Sequence, residues 1–183
     1  MPGFDATATQ TINALAGHNA ALDDLLIHAS AWGIPASVLA VAAQWWLPGD
    51  RLRNRHILIA TGLSFGLALA LNQIILLFVH RMRPYDAGLT RLLIERSADP
   101  SFPSDHATAT VAIAAAFFLH RAPRRGLVFA IAAVVICFSR VYIGTHYVGD
   151  VLGGAVTGIV GAIVAMILYR PNTRLDRILT RIL

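Results

Sequence analysis

Apolar residues dominate five stretches of this chain, and short polar runs separate them. They run from about Leu25 to Leu47, His56 to Val79, Ser104 to Leu119, Leu127 to Tyr142 or Ile143, and Tyr147 to Tyr169. Runs of this length cross a bilayer as helices. The predicted fold is all-α: one domain, residues 1–183, forming a polytopic membrane helix bundle of about five transmembrane helices plus short interfacial helices.

Details within the runs sharpen this picture. Pro35 is expected to kink the first span, which a bundle tolerates, and Trp45 and Trp46 close it at an interface. Asn72 and Gln73 are predicted to face the bundle interior, where polar side chains bond neighbouring helices. The third span is short and alanine-rich, so it is placed centrally, with Ser104 as its N-cap. In the fifth, Gly149/Gly153 and Gly154/Gly158 form small-xxx-small pairs that let helices approach closely. The leader, residues 1–24, is mildly amphipathic, with Phe4, Ile12 and Leu15 on one side. It is read either as an interfacial helix or as an ordered leader. The tail, residues 170–183, sets Arg170, Arg174, Arg177 and Arg181 among Leu175, Ile178, Leu179 and Ile182. That reads as a basic amphipathic helix on an anionic leaflet.

Composition supports the membrane reading. The chain is 56% hydrophobic and only 14% charged, against about a quarter charged in soluble domains. All fifteen cationic side chains are arginine. A pI of about 10.3 raises nucleic acid as a partner, but the arginines cluster in short loops, which is a topology signal. Membrane lipids are the expected partners and nucleic acid is not. Cys137 is the single cysteine, so no intrachain disulfide is possible, and a buried inert thiol is expected. The first twenty residues hold no Lys or Arg, so no signal peptide is expected.

Five crossings put the termini on opposite sides. The arginine-rich 51–55 loop, 121–125 loop and tail then share one side, the cytoplasmic one by the positive-inside rule. The amino terminus, the 80–103 connection and the 143–146 turn fall together outside. The connection also carries Arg81, Arg83, Arg91 and Arg96. Arginines on that side need a reason, and binding a polyanion is one.

Three polar stretches therefore meet on one face. Arg81-Met82-Arg83-Pro84 presents two guanidinium groups on one side of an extended segment. Ser104-Asp105-His106 opens a helix, where free backbone N–H groups suit an anion. Ser139-Arg140 and His146-x-x-x-Asp150 add a third arginine and a His/Asp pair that shares a face if helical. Together they suit phosphoryl chemistry. Arg81, Arg83 and Arg140 neutralise the phosphoryl group. His146 attacks phosphorus while Asp150 sets its tautomer. His106 protonates the departing oxygen and then activates water. His80 borders this set. The outer carboxylates Asp86, Glu95, Asp99, Asp105 and Asp150 are scattered, so neither a metal nor another cofactor is expected.

These residues resemble the type 2 phosphatidic acid phosphatase superfamily, which shares its site with vanadium-dependent haloperoxidases. Its third motif, S-R-x5-H-x3-D, is matched by Ser139, Arg140, His146 and Asp150. Its second, P-S-G-H, is present as Pro103-Ser104-Asp105-His106. Its first, K-x6-R-P, keeps Arg83-Pro84 but has Leu76 at the lysine position, with Arg81 as the candidate substitute. The F-P-S-D-H variant, the R-x-R-P form, the five-span chain and the leader's Gly17-His18-Asn19 and Leu22-Asp23 resemble bacterial undecaprenyl-diphosphate phosphatases. That resemblance implies hydrolysis of a polyprenyl diphosphate lipid outside the inner membrane. It also implies lipid-carrier recycling for peptidoglycan synthesis and bacitracin resistance. It implies Arg83, Ser104 and Arg140 on phosphate, His106 as acid, His146 as nucleophile and Asp150 as its partner. Asp105 is left either to bind an arginine or to select a diphosphate, and Ser139 to support the site. Two alternatives stay open. One is another lipid phosphatase or phosphotransferase, acting on phosphatidylglycerol phosphate, phosphatidic acid or lipid A. The other is a non-catalytic protein that binds or moves a lipid phosphate.

Overall fold

Polar side chains start several helices. Asn19, Asp50 and Thr173 each accept a hydrogen bond from the backbone N–H three residues on, satisfying one orphan donor of the helix that follows. The computed structural model describes residues 3–181, and among them the chain forms seven α-helices and no strand. These are α1 (Phe4–Asn13), α2 (Ala20–Ala43), α3 (Arg51–Leu76), α4 (Asp105–Leu119), α5 (Pro123–Tyr142), α6 (Val148–Leu168) and α7 (Arg174–Thr180). A 3₁₀ turn, Gln44–Trp46, extends α2. Four helices, α2 with its turn, α3, α5 and α6, are long and apolar enough to cross a membrane. Their outer faces carry exposed apolar side chains such as Trp32, Val128, Val134 and Leu152, as a lipid-facing surface requires.

The fifth apolar helix, α4, has only 15 residues, about 22 Å at 1.5 Å per residue. It is the centre of the bundle, packed on α3, α5 and α6. Ala107, Ala109, Ala112 and Ala116 are fully buried, so its neighbours come close. On α6, a methyl group at Gly154 would stand 2.5 Å from the Ser104 carbonyl oxygen, and one at Gly158 2.7 Å from that of Thr108. Those two glycines let α6 and α4 touch backbone to backbone. Gly149 and Gly153 serve differently: their space is taken by the side chains of Asp5 and Phe102. A polar ladder crosses the same layer. Buried Asn72 donates to Thr108 Oγ1 at 2.8 Å, and Thr108 and Thr157 share a hydrogen bond of 2.9 Å.

Several expectations need correction. Arg51, Arg53 and Arg55 lie on α3 rather than in a loop, because Asp50 caps the helix ahead of them. Gln73 is exposed, not interior. Ser104 occupies the N-cap position of α4 but its side chain makes no capping bond. In the leader, Phe4 and Leu15 point outward, and the face turned to the protein carries Thr9 and Asn13. Asn13 explains this: its side chain bonds Tyr142 O, Arg91 O and Arg91 N. The tail docks through polar contacts too. Asp176 and Thr180 are buried while Leu175 and Ile178 face out. Asp176 accepts from Tyr169 Oη at 2.6 Å and the Asn172 N–H at 2.8 Å, and pairs with His56 Nδ1 at 2.8 Å. Ile182, assigned to that amphipathic tail, lies outside the described residues.

Candidate active site

The connection from α3 to α4 has neither helix nor strand, yet it is pinned at many points. Ser101 N–H donates to Arg81 O, Leu93 N–H to Ile143 O, and Tyr85 Oη to Ser97 O. Gly144 turns the chain between α5 and α6 at φ 85°, and a side chain there would run into the Arg91 carbonyl. These ties bring residues from α3, the connection, α4, α5 and the 143–147 turn around one cavity of about 270 Å³. Its walls include Arg83, His106, Arg140 and His146, with Asp105, Gln73 and Leu76 also lining it.

His146 is buried in the turn before α6, with Asp150 in that helix's first turn. The two therefore do not share a helical face. Nor does Asp150 hold the imidazole. Nδ1 of His146 donates to the Ser101 carbonyl at 2.8 Å, while the Asp150 carboxylate stands 3.6 Å from the same nitrogen, beyond hydrogen-bond range. A proton on Nδ1 leaves Nε2 with its lone pair. Burial pushes the His146 pKa down. Asp150 opposes this, and Arg140 and Arg83 add to it. The net direction favours the neutral ring.

Asp150 is fully buried and fully engaged. Its Oδ1 accepts from Arg81 Nη1 at 2.7 Å; its Oδ2 accepts from Ser101 Oγ at 2.5 Å and the Tyr147 N–H at 2.9 Å. Arg81 is accordingly not at the phosphate position that the sequence suggests. Its guanidinium is shared between Asp150 and Asp5 and lies over the Tyr147 ring. Arg83 does reach the cavity. It is held by the carbonyls of Asp99 at 2.8 Å and Thr145 at 3.1 Å, with Nη1 3.4 Å from His146 Nε2.

Arg140 bonds Ser30 Oγ on α2, but its Nε has no partner, and neither does the fully buried hydroxyl of Ser104. Buried polar atoms are nearly always paired, so two unpaired donors beside a cationic cavity suit a ligand's oxygens. Asp105 does not bind an arginine; it accepts from Asn72 Nδ2 at 2.7 Å. Ser139 is fully buried, bonded to its own helix at Ile136 O. His80 is exposed. Among the described residues, no three His, Cys, Asp or Glu side chains group to hold a metal ion.

Ser101, Ser30 and Asp5 carried no signal in the sequence. Each is a small polar residue in no motif, and each acts on a partner at least 45 positions away.

Residues 57–174 match the PAP2 superfamily. Undecaprenyl-diphosphatase BcrC of Bacillus subtilis is 36% identical over 151 residues, 82% of this chain and 77% of that protein. An undecaprenyl-diphosphatase of Sulfolobus acidocaldarius is 31% identical over 119 residues, 62% of this chain and 58% of that protein. The crystal structure of a PAP2 type phosphatidylglycerolphosphate phosphatase from Bacillus subtilis has the same fold. Its TM-score is 0.64 at 23% identity, over 92% of this chain and 87% of that one.

Proposed function

The chain belongs to the PAP2 superfamily, and on that premise we propose that it hydrolyses undecaprenyl diphosphate to undecaprenyl phosphate and inorganic phosphate. The observation that carries this reading is the convergence of His146, His106, Arg83 and Arg140 on one cavity. The relatives named for this substrate favour it over other lipid phosphates.

The chemistry follows from the positions. Arg83 and Arg140 take the oxygens of the terminal phosphoryl group, and the Ser104 hydroxyl supplies a further donor. His146 Nε2 attacks the terminal phosphorus. The bond to the bridging oxygen breaks, and that oxygen leaves with the lipid phosphate, protonated by His106, whose proton the negative charge of the bound diphosphate holds in place. The cation on the phosphorylated imidazole is stabilised by the Asp150 carboxylate 3.6 Å behind it and by the Ser101 carbonyl. Water, deprotonated by His106, then attacks phosphorus and returns His146 as phosphate departs.

The arginine-rich ends of α3, α5 and α7 lie at one pole of the bundle, opposite this cavity. By the positive-inside rule that pole is cytoplasmic. The cavity then opens outside the bacterial inner membrane, where recycling of the cell-wall lipid carrier takes place.

Phosphate release by the purified chain from undecaprenyl diphosphate, phosphatidylglycerol phosphate, phosphatidic acid and lipid A tests the assignment. Undecaprenyl diphosphate should be preferred at least about tenfold. Activity should survive EDTA, because the cations of the cavity belong to arginine. His146→Ala should lose at least about 10³-fold and trap no phosphohistidine. Full activity of that variant would end the mechanism, and a preference for another lipid would end the substrate assignment.

A further inference from the structure

The leader helix lies outside the segment that matches the family, yet it reaches the catalytic centre. Asp5 Oδ2 pairs with Arg81 Nη2 at 2.6 Å, and Arg81 Nη1 pairs with Asp150 at 2.7 Å. One guanidinium thus bridges two carboxylates, one on α1 and one beside the nucleophile. The other Asp5 oxygen, Oδ1, accepts from the Gly149 N–H at 2.8 Å, and Thr9 Oγ1 accepts from the Val148 N–H at 3.0 Å. Both N–H groups belong to the first turn of α6, which carries Asp150. Side chains of α1 therefore satisfy orphan donors that α6 would otherwise leave open. Asn13 fixes the far end of α1 at the Tyr142 carbonyl, two residues after Arg140.

We infer that Asp5, on α1, is a positioning residue that, through Arg81, sets the placement and effective charge of Asp150. The inference rests on reading the cavity as the catalytic site. Asp150 must offer negative charge to the imidazole of His146 as that ring becomes cationic. An arginine engaging Asp150 alone would draw that charge away. Asp5 divides the guanidinium between two carboxylates, so Asp150 keeps part of its field for His146. The geometry leaves little slack: a methyl group at Gly149 would sit 2.7 Å from Asp5 Oδ2.

A structural cap and a charge-setting residue predict different results. Asp5→Asn keeps an oxygen for the Gly149 N–H and removes the charge. Thr9→Val removes a cap and no charge. Arg81→Met removes the bridge. In these variants the groups facing His146 from the cavity, Arg83, Arg140 and His106, stay the same. The assay is hydrolysis of undecaprenyl diphosphate by the full chain in detergent, with kcat, KM, the pH profile of kcat/KM and thermal unfolding recorded for each.

Asp5→Asn should lower kcat about three- to fivefold, the discounted worth of a one-third-exposed ion pair, with KM within about 1.5-fold. Loss of a negative charge makes neutral His146 easier to form, so its acid limb should move to lower pH. Arg81→Met should move that limb to higher pH. Thr9→Val should lower the unfolding temperature and leave kcat within about twofold. Opposite shifts from the two charged partners are the signature that a purely structural clamp would not produce. No shift in either charged variant, or shifts in one direction, overturns the inference. A wild-type chain that hydrolyses nothing overturns the reading beneath it instead, so the two failures are distinct.

Discussion

Replacing Asp150 with asparagine tests how His146, the nucleophile of the proposed mechanism, is prepared. In a hydrolytic triad where the carboxylate holds the imidazole N–H, the same change inverts the tautomer and costs about 10⁴-fold in rate. Here the Ser101 carbonyl holds Nδ1 at 2.8 Å, and Asp150 stands 3.6 Å away. Asp150→Asn should therefore leave the tautomer intact and remove only an electrostatic contribution. At 3.6 Å, with an effective dielectric constant of about 20, attraction between a carboxylate and an imidazolium is roughly 4–5 kcal/mol. Arg81 already neutralises part of that carboxylate through its 2.7 Å bond. The net loss is then about 2–3 kcal/mol, or roughly 30- to 150-fold in kcat.

Two readouts check the prediction. Steady-state phosphate release gives kcat, and ¹⁵N spectra of histidine-labelled protein give the His146 tautomer. Asp150 is one of the influences raising the His146 pKa against burial. Without it the neutral ring persists to lower pH, so the acid limb of kcat/KM should move to lower pH. A loss near 10⁴-fold with a changed tautomer would mean that Asp150, not Ser101, orients the ring. A loss below about threefold would mean that Asp150 contributes no stabilising charge.

Two further predictions concern the scaffold. Gly154→Ala should destabilise the bundle by about 1–3 kcal/mol, because its methyl group would meet the Ser104 carbonyl at 2.5 Å. Thermal unfolding in detergent measures it, and an unchanged midpoint would refute close α4–α6 packing as the role of this glycine. Asp176→Asn should cost about 1–2 kcal/mol, since the carboxylate gathers Tyr169, His56 and the Asn172 N–H. Burial works to raise the Asp176 pKa, but those hydrogen bonds outweigh it and hold it below its ordinary 3.8. A lowered carboxylate pKa stabilises the fold above the ordinary value and loses that contribution as pH falls through the lowered one. The gap between wild type and Asp176→Asn should thus be full near neutrality and narrow below about pH 4. A gap independent of pH would refute it.

The apolar runs located the helices because bilayer-facing and core-facing surfaces are both apolar, but polar capping residues such as Asn19 and Asp50 start α2 and α3 about five residues ahead of their runs. The second and third motifs were legible because their residues sit close together in sequence at the ends of two such runs. What could not be read was the polar packing between distant segments. The apolar residues of the leader, Phe4, Ile12 and Leu15, leave open whether lipid or protein is its partner, and only Ile12 packs on the core. The leader's partner is protein backbone at 91, 142, 148 and 149, so Thr9 and Asn13 turn inward. The tail is helical, with its arginines, Leu175 and Ile178 outward, but the residues that dock it on the bundle, Asp176 and Thr180, are polar ones that no apolar stripe marks. An apolar stripe locates a helix against lipid or core, but a polar one does not say which backbone it will satisfy.

The same limit separates the two arginines of Arg81-Met82-Arg83. Alternation along an extended segment put both at the phosphate. Instead, Arg83 is fixed by the Asp99 and Thr145 carbonyls at the cavity wall, and Arg81 is held away from it by Asp150 and Asp5. With Leu76 at the motif's lysine position and lining the cavity, the cavity wall carries the guanidinium groups of Arg83 and Arg140 and none from Arg81. The cation that seemed a substitute for lysine serves the carboxylate instead. Interactions that strengthen only as charge develops are the ones that raise kcat, and in the proposed reaction the charge developing on His146 has the Asp150 carboxylate 3.6 Å behind it, itself engaged by Arg81 at 2.7 Å.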